Sequence, residues 1–329
     1  MKKILSVILF VLPGFGLLFS QTIETTGIPI TEIYTDFHYS FNDTTKTTGF
    51  GLEKVLFGYN FLPGNKFSAT VILNIGSPDE LARGSEPRRY AFFREAFMNY
   101  SKDKLTISFG ISKTHMFDYQ QIFFGKRYVA SPFQILNGYG YFSDLGIAID
   151  YQFNDVFKAD FSIMNGEGYS NIQMDNNLKA SAGLYITPVR ELAFRVFGDI
   201  IKREGLWQST LIGFAGINND LITLGAEINY KTNFDLIGGH HAWGFSGTGA
   251  IKFSEKAELF GRFDHSASVI PAGEGVHWNY LNDNNLLIAG LQYIFSKNVK
   301  IALDYQGTYP YISEVPATDA LYLNAHFKF

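Results

Sequence analysis

The sequence predicts an all-β fold, a transmembrane antiparallel β-barrel of about 16 strands with short periplasmic turns and longer extracellular loops. Three observations carry the prediction. Apolar and polar residues alternate almost without interruption after Ile30. Beyond the first twenty residues, no apolar run approaches the roughly twenty residues that a membrane-spanning helix needs. The segments between the alternating runs are short and long in turn, as barrel connections are.

The start of the chain stands apart from this pattern. Met1-Lys2-Lys3 is basic, and an apolar run from Ile4 to Phe19 follows, interrupted by Pro13 and Gly14. A basic n-region before an apolar stretch too short to span a bilayer comfortably reads as a secretory signal peptide, residues 1–20, cleaved near Ser20-Gln21. Residues 21–29 are then a polar N-terminal periplasmic segment, and residues 30–329 form the barrel. Cleavage removes Lys2 and Lys3 and no acid, leaving 25 basic residues against 31 acidic ones and a formal charge of −6. That balance offers nothing to nucleic acid. With no cysteine in the chain, disulfides, thiolate nucleophiles and cysteine-ligated metals are excluded.

Composition agrees with a membrane wall. Only 18% of residues are charged, below the roughly one quarter of soluble domains, while 16% are aromatic and 32 are glycine. Mean hydropathy near zero follows when alternate residues face lipid and lumen and average out.

Period-2 runs place strands at about 30–41, 48–60, 66–76, 90–100, 104–112, 143–153, 156–164, 178–187, 191–202, 207–217, 221–232, 242–253, 257–267, 286–295, 299–308 and 319–329. In the sixth of these, Leu145, Ile147, Ile149, Tyr151 and Phe153 share one face and Gly146, Ala148, Asp150 and Gln152 the other. Every second connection is short and rich in turn formers, as in Asn154-Asp155, Asn218-Asn219-Asp220 and Ser296-Lys297-Asn298. The others are mostly long: 77–89, 113–142, 165–177, 233–241, 269–285 and 309–318. A soluble β-sandwich would also alternate. Here, however, aromatic residues such as Tyr59, Phe61, Tyr100, Tyr293 and Phe295 sit at strand ends, where a membrane-interface girdle belongs.

The last strand reads Leu321-Tyr322-Leu323-Asn324-Ala325-His326-Phe327-Lys328-Phe329. Alternation ending in Phe327 and a terminal Phe329 resembles the C-terminal signal that the barrel-assembly machinery reads in outer-membrane proteins. Strand number and loop order are similar to the general porin family of Gram-negative bacteria. Residues 94–100 leading through 105–110 are similar to phosphate-selective and related porins. The resemblance implies an outer-membrane porin, often a homotrimer, whose partners are outer-membrane lipids, lipopolysaccharide and small solutes. It also implies that the long third loop, residues 113–142, folds inward as a constriction lined by Lys113, His115, Asp118, Lys126 and Arg127. Their slight positive balance predicts a weak anion preference.

Turning the apolar parity outward places Glu32, Asp36, His38, Glu95, Asp150, Asp160, Asp199, Glu227, Glu258, Asp264 and Asp304 in the lumen. It also places Lys158, Lys179, Arg195, Lys231, Lys252, Arg262, Lys300, His326 and Lys328 there. Of these, Arg195, Glu227, Lys252, Arg262, Asp264 and Lys300 are the candidate pore-lining residues. Both signs are present and no ring of one sign emerges, so pairing of opposite wall charges is the expected arrangement. Arg94 and Glu95 are adjacent. One of them faces lipid, at roughly 2–4 kcal/mol for a mid-membrane arginine, unless a bulge intervenes or the strand boundary moves.

Other chemistries are weaker. A lipid hydrolase would use His265 with Ser266 or Ser268, but adjacent strand residues point to opposite faces. His240, His241 and His277 are a candidate metal group of surface histidines. Gly244, Gly247 and Gly249 lie within a strand and read as curvature or close contact, not as a phosphate cradle. The expectation is therefore a non-enzymatic diffusion channel without cofactor or metal. The alternative is a receptor or adhesin barrel that presents loop 269–285 with Trp278 and Tyr280.

Overall fold

The computed structural model describes residues 26–41, 48–62, 64, 66–76 and 90–329. The expected signal peptide lies outside these residues, as do the outer connections 42–47 and 77–89. Sixteen antiparallel strands follow one another around a closed barrel. They are β1 Thr26–Ser40, β2 Thr48–Leu62, β3 Phe67–Gly76, β4 Tyr90–Lys102, β5 Leu105–Lys113, β6 Ser143–Gln152, β7 Phe157–Met164 and β8 Lys179–Val189. The rest are β9 Leu192–Arg203, β10 Leu206–Asn218, β11 Ile222–Thr232, β12 Ala242–Lys252, β13 Ala257–Ser268, β14 Asn284–Ser296, β15 Val299–Pro310 and β16 Thr318–Lys328.

One boundary differs in substance from expectation. β1 begins at Thr26, because Tyr59 to Leu62 at the end of β2 provide a ladder for Thr26 to Pro29. Those four residues are strand and not periplasmic segment. Closure pairs β1 with β16 from Glu32 and Lys328 to Ser40 and Ala320. Phe329 prolongs the seam, donating its N–H to Thr31 O at 2.9 Å and accepting from Thr31 N–H at 3.3 Å. A closed ladder leaves no sheet edge for hydrocarbon to strand.

The short turns are held by their own polar side chains. Asn154 Oδ1 accepts the N–H groups of Val156 and Phe157, both at 2.9 Å, and Asn219 Oδ1 does the same for Leu221 and Ile222. Between β9 and β10 the chain reverses through Glu204 and Gly205 at φ 49° and 86°, the left-handed pair that a two-residue hairpin needs. The outer wall is apolar by alternation: on β9, Phe194, Val196 and Ile200 face out while Ala193, Arg195, Phe197 and Asp199 are buried. Aromatic pairs Tyr59–Phe61, Tyr151–Phe153 and Tyr293–Phe295, with ring centroids 4.6–4.9 Å apart, mark the periplasmic rim.

Bulges decide where two cations go. The β1–β2 register slips between Tyr34 and Thr35, leaving Glu53 extra, and Lys54 is 7% exposed on the lumen side. The β3–β4 register slips between Ile72 and Leu73, leaving Arg94 extra. Arg94 and Glu95 are both buried, at 5% and 6%. The bulge, not a shifted strand boundary, removes the cost of a lipid-facing arginine.

The third loop, residues 114–142, enters the barrel and carries two short helices, α1 Asp118–Phe124 and α2 Phe133–Leu136. Gly125 closes α1 in the left-handed conformation at φ 65°.

Candidate functional site

A lumen lined by polar residues is the expectation from parity; the structure adds apolar patches to it. The inner faces of β9, β10 and β13 to β15 carry apolar patches that receive loop 3. Phe124, Tyr128 and Val129 meet Phe260, Ile288 and Ala302. Met116, Phe117 and Phe142 meet Phe197 and Ile212, and Phe123 meets Ala193 and Phe214. Each buried Phe contributes roughly 1.5–3 kcal/mol, so the loop has an apolar reason to leave the rim. Wall glycines make room for it. A Cβ at Gly216 would strike the Phe123 ring, and one at Gly244 would strike the Phe133 ring. Gly244 therefore allows close contact, whereas Gly247 faces open space.

Polar anchors then orient the loop. Gln120 and Gln134 each donate through Nε2 to Glu227 Oε2, at 2.7 and 2.5 Å, and Gln134 also reaches Asn229 Oδ1 at 2.7 Å. Arg262 donates to Ser131 O at 2.6 Å while its other nitrogens hold Asp264 at 2.8 and 2.6 Å. Tyr128 donates to Gln292, and Lys231 donates to the carbonyls of Gly138 and Tyr139. Gln120, Gln134, Tyr128 and Gln292 carry no charge, so a search for charged lumen residues passes over them.

The five expected constriction residues do not act as one group. Lys126 Nζ lies 2.6 Å from Glu258 Oε1 and is 4% exposed, so its charge is spent on the wall. Burial pushes the Lys126 ammonium below its ordinary value despite Glu258. His115 Nδ1 sits 2.7 Å from Asp118 Oδ2, and its Nε2 sits 3.4 Å from Asp150. Burial disfavours the His115 imidazolium, but the hydrogen bond and charge of Asp118, with Asp150 and Asp160, outweigh it and raise the pKa. Burial likewise opposes ionisation of Asp118, yet His115, the Tyr185 hydroxyl and Arg195 hold it well below the carboxylate range. Lys113 is exposed and lines a cavity of about 530 Å³ with His115 and Asp118 that reaches Asp155 in the β6–β7 turn.

Arg127 is the exception that faces other cations. Its guanidinium lies 3.6 Å from the Phe142 ring centre, with Arg94 at 4.7 Å and Lys54 Nζ at 5.1 Å from the same ring. Lys54 and Arg94 escaped the parity reading because both sit at bulges, which period-2 counting cannot register.

Opposite charges pair along the wall. Arg195 meets Asp160 at 3.0 Å across β8, where a Cβ at Gly183 would collide with both side chains. Arg195 also donates to His115 O at 2.5 Å. Lys158–Asp150 and Lys328–Glu32 pairs stand at 2.6 and 2.7 Å. Lys252 and Lys300 are half-buried, and Lys252 lines a small cavity with the periplasmic turn residues Arg190 and Asn219.

The competing constellations come apart. His265 contacts Asn285 Oδ1 at 3.0 Å and the Tyr311 hydroxyl, while Ser268 donates to Asp283 at 2.6 Å. His240 stacks on Trp278, His241 accepts from the Asn233 N–H, and His277 bonds Ser268 O. Among the described residues no three potential ligands converge on a metal position.

With this geometry established, the chain compares with solved outer-membrane proteins. It aligns with OmpF of Salmonella typhi, solved with daunomycin, at TM-score 0.68 and 12% identity, covering 93% of this chain and 98% of that one. The outer membrane channel DcaP of Acinetobacter baumannii aligns at 0.67 and 10%, covering 93% and 97%. A trimer form of OmpT, an outer membrane protein of Vibrio cholerae, aligns at 0.60 and 11%, covering 93% and 99%. The fold is that of an outer-membrane β-barrel. No protein-family profile and no curated protein matches the sequence, so the local likeness to phosphate-selective porins gains no support.

Proposed function

We propose that the chain is a passive outer-membrane diffusion channel for small hydrophilic solutes, with loop 3 as its size filter and a weak anion preference. The observation that carries this reading is the docked loop: it is tied to one side of the wall and presents Arg127 toward Arg94 and Lys54 around Phe142. A constriction lined by unlike-paired walls and one cation cluster selects by size first and by sign second. The reading moves the selectivity charge from Lys113, Lys126 and Arg127 to Lys54, Arg94 and Arg127. It assigns no catalytic residue and no cofactor. The trimer form of the Vibrio cholerae protein supports a homotrimer, and the Phe327 and Phe329 strand end supports recognition by the barrel-assembly machinery.

The tightness of loop 3 also favours a second reading, a receptor or adhesin barrel whose lumen is closed. Planar-bilayer recording of the refolded chain separates them. Stepwise conductance with a reversal potential of anion sign in a salt gradient is expected. Absence of steps would favour the receptor, and a clear cation preference would overturn the selectivity assignment.

A further inference from the structure

A further cavity, of about 770 Å³, opens on the loop side of the barrel above loop 3. It falls within the roughly 300–1,000 Å³ of small-molecule sites. Its charged lining is three cations and three carboxylates, so it carries no formal net charge. Most of those charges are already engaged. Arg203 holds Glu167 at 2.8 Å, Lys231 is bound to two loop carbonyls, and Asp283 accepts from Ser268. An ion entering here meets no net attraction.

What remains open is aromatic and amide. Tyr141 is 41% exposed, and Trp278, half-buried and stacked on His240, belongs to the same lining. The amides of Asn137, Gln208 and Asn282 line the same space, each engaged at one end: Asn137 donates to Phe133 O, Gln208 Oε1 accepts from the Leu236 N–H, and Asn282 donates to Asn279 Oδ1. Tyr139 belongs to the same lining but is 1% exposed, and its hydroxyl is buried behind the surface. Flat apolar rings beside amides, in a cavity of no net charge, suit a ligand with C–H faces and radial hydroxyls.

We propose that this vestibule is a binding site for neutral oligosaccharides. Tyr141 is the stacking platform, and Asn282 recognises hydroxyls. The site stands whether or not solutes pass loop 3, because it lies on the outer side of that loop.

The test uses the refolded full chain with maltotriose and cellotriose as probes and gluconate as the charged control. Calorimetry reads affinity. Fluorescence locates the site, because Trp207 and Trp243 are exposed residues absent from the cavity lining, where Trp278 is the tryptophan. Saturable binding of at least one trisaccharide is expected, weakened about tenfold in Tyr141→Ala and less than about threefold in Tyr141→Phe. Asn282→Ala, at an exposed position, gives a second variant should Tyr141→Ala fail to form a heat-modifiable barrel. No saturable binding, equal binding of gluconate, or unchanged affinity in both alanine variants overturns the proposal. Binding without bilayer conductance sinks the channel reading alone, and conductance without binding sinks this one alone.

Discussion

Lys126 on loop 3 and Glu258 on β13 form a buried ion pair, Nζ to Oε1 at 2.6 Å, with side-chain exposures of 4% and 11%. The pair joins the loop to the far wall beside the Phe124–Phe260 contact, and Lys126 Nζ lies 5.0 Å from the Phe260 ring centre. Removing one partner of a buried pair strands the other, at roughly 3–5 kcal/mol, whereas replacing both by apolar groups is often neutral. Lys126→Met and Glu258→Gln should each lower the melting temperature in detergent and add noise to open-channel current. The Lys126→Met, Glu258→Leu double variant should recover most of the loss. Simple additivity of the two single effects would show that the pair is not coupled.

His115 sets a pH window for the foot of loop 3. Burial lowers its folded-state pKa, but Asp118, Asp150 and Asp160 outweigh burial and raise it; the cations Arg195 and Lys158 stand nearby. Stabilisation from the imidazolium is then full below its ordinary value of about 6.5 and is lost as pH rises through the raised value. Asp118, held low, contributes above about 4 and loses its contribution as pH falls through its depressed value. Protease cleavage within 114–142 should therefore increase on going from mildly acidic to alkaline pH. In His115→Asn that rise should flatten; a profile unchanged by the substitution would remove His115 from the account.

The cation cluster around Phe142 predicts selectivity. Arg127→Ala and Arg94→Ala should each move the reversal potential in a salt gradient toward cation preference, and the double variant should move it further. Glu95→Gln, beside Arg94 at 4.0 Å, should move it the other way. Lys126→Met, whose charge is already matched by Glu258, should move it least. An ordering that puts Lys126 first would place the filter elsewhere on the loop.

Phe329 predicts assembly behaviour. Its two backbone hydrogen bonds to Thr31 are the last rungs of the closing seam, and its side chain is 65% exposed to the lipid side. Deleting it should reduce the yield of heat-modifiable barrel while leaving the conductance of assembled molecules unchanged. A normal yield would argue against a role in assembly.

All sixteen strands were legible in the residues, and apart from the start of β1 their boundaries fell within two residues of expectation. Alternation is a local property: a strand with one face in lipid must repeat every two residues, wherever its neighbours lie. The turns at Asn154, Asn219 and Ser254 were legible for the same reason, since each is held by its own side chain. The inward charges followed from parity wherever the ladder is regular.

Parity failed where pairing, not sequence, decides the register. Lys54 and Arg94 reach the lumen because Glu53 and Arg94 bulge against β1 and β3, and a bulge exists only between two strands. The length of loop 3 was visible, but its chemistry was not. Lys126 reads as a pore charge until Glu258 lies beside it, and Phe123 reads as an exposed loop residue until the bare backbone of Gly216 receives it. The sequence by itself determined a closed, lipid-facing wall, because the membrane acts on every residue in turn. Only the tertiary structure decided what fills that wall, because the burial of a loop side chain depends on partners a hundred residues away.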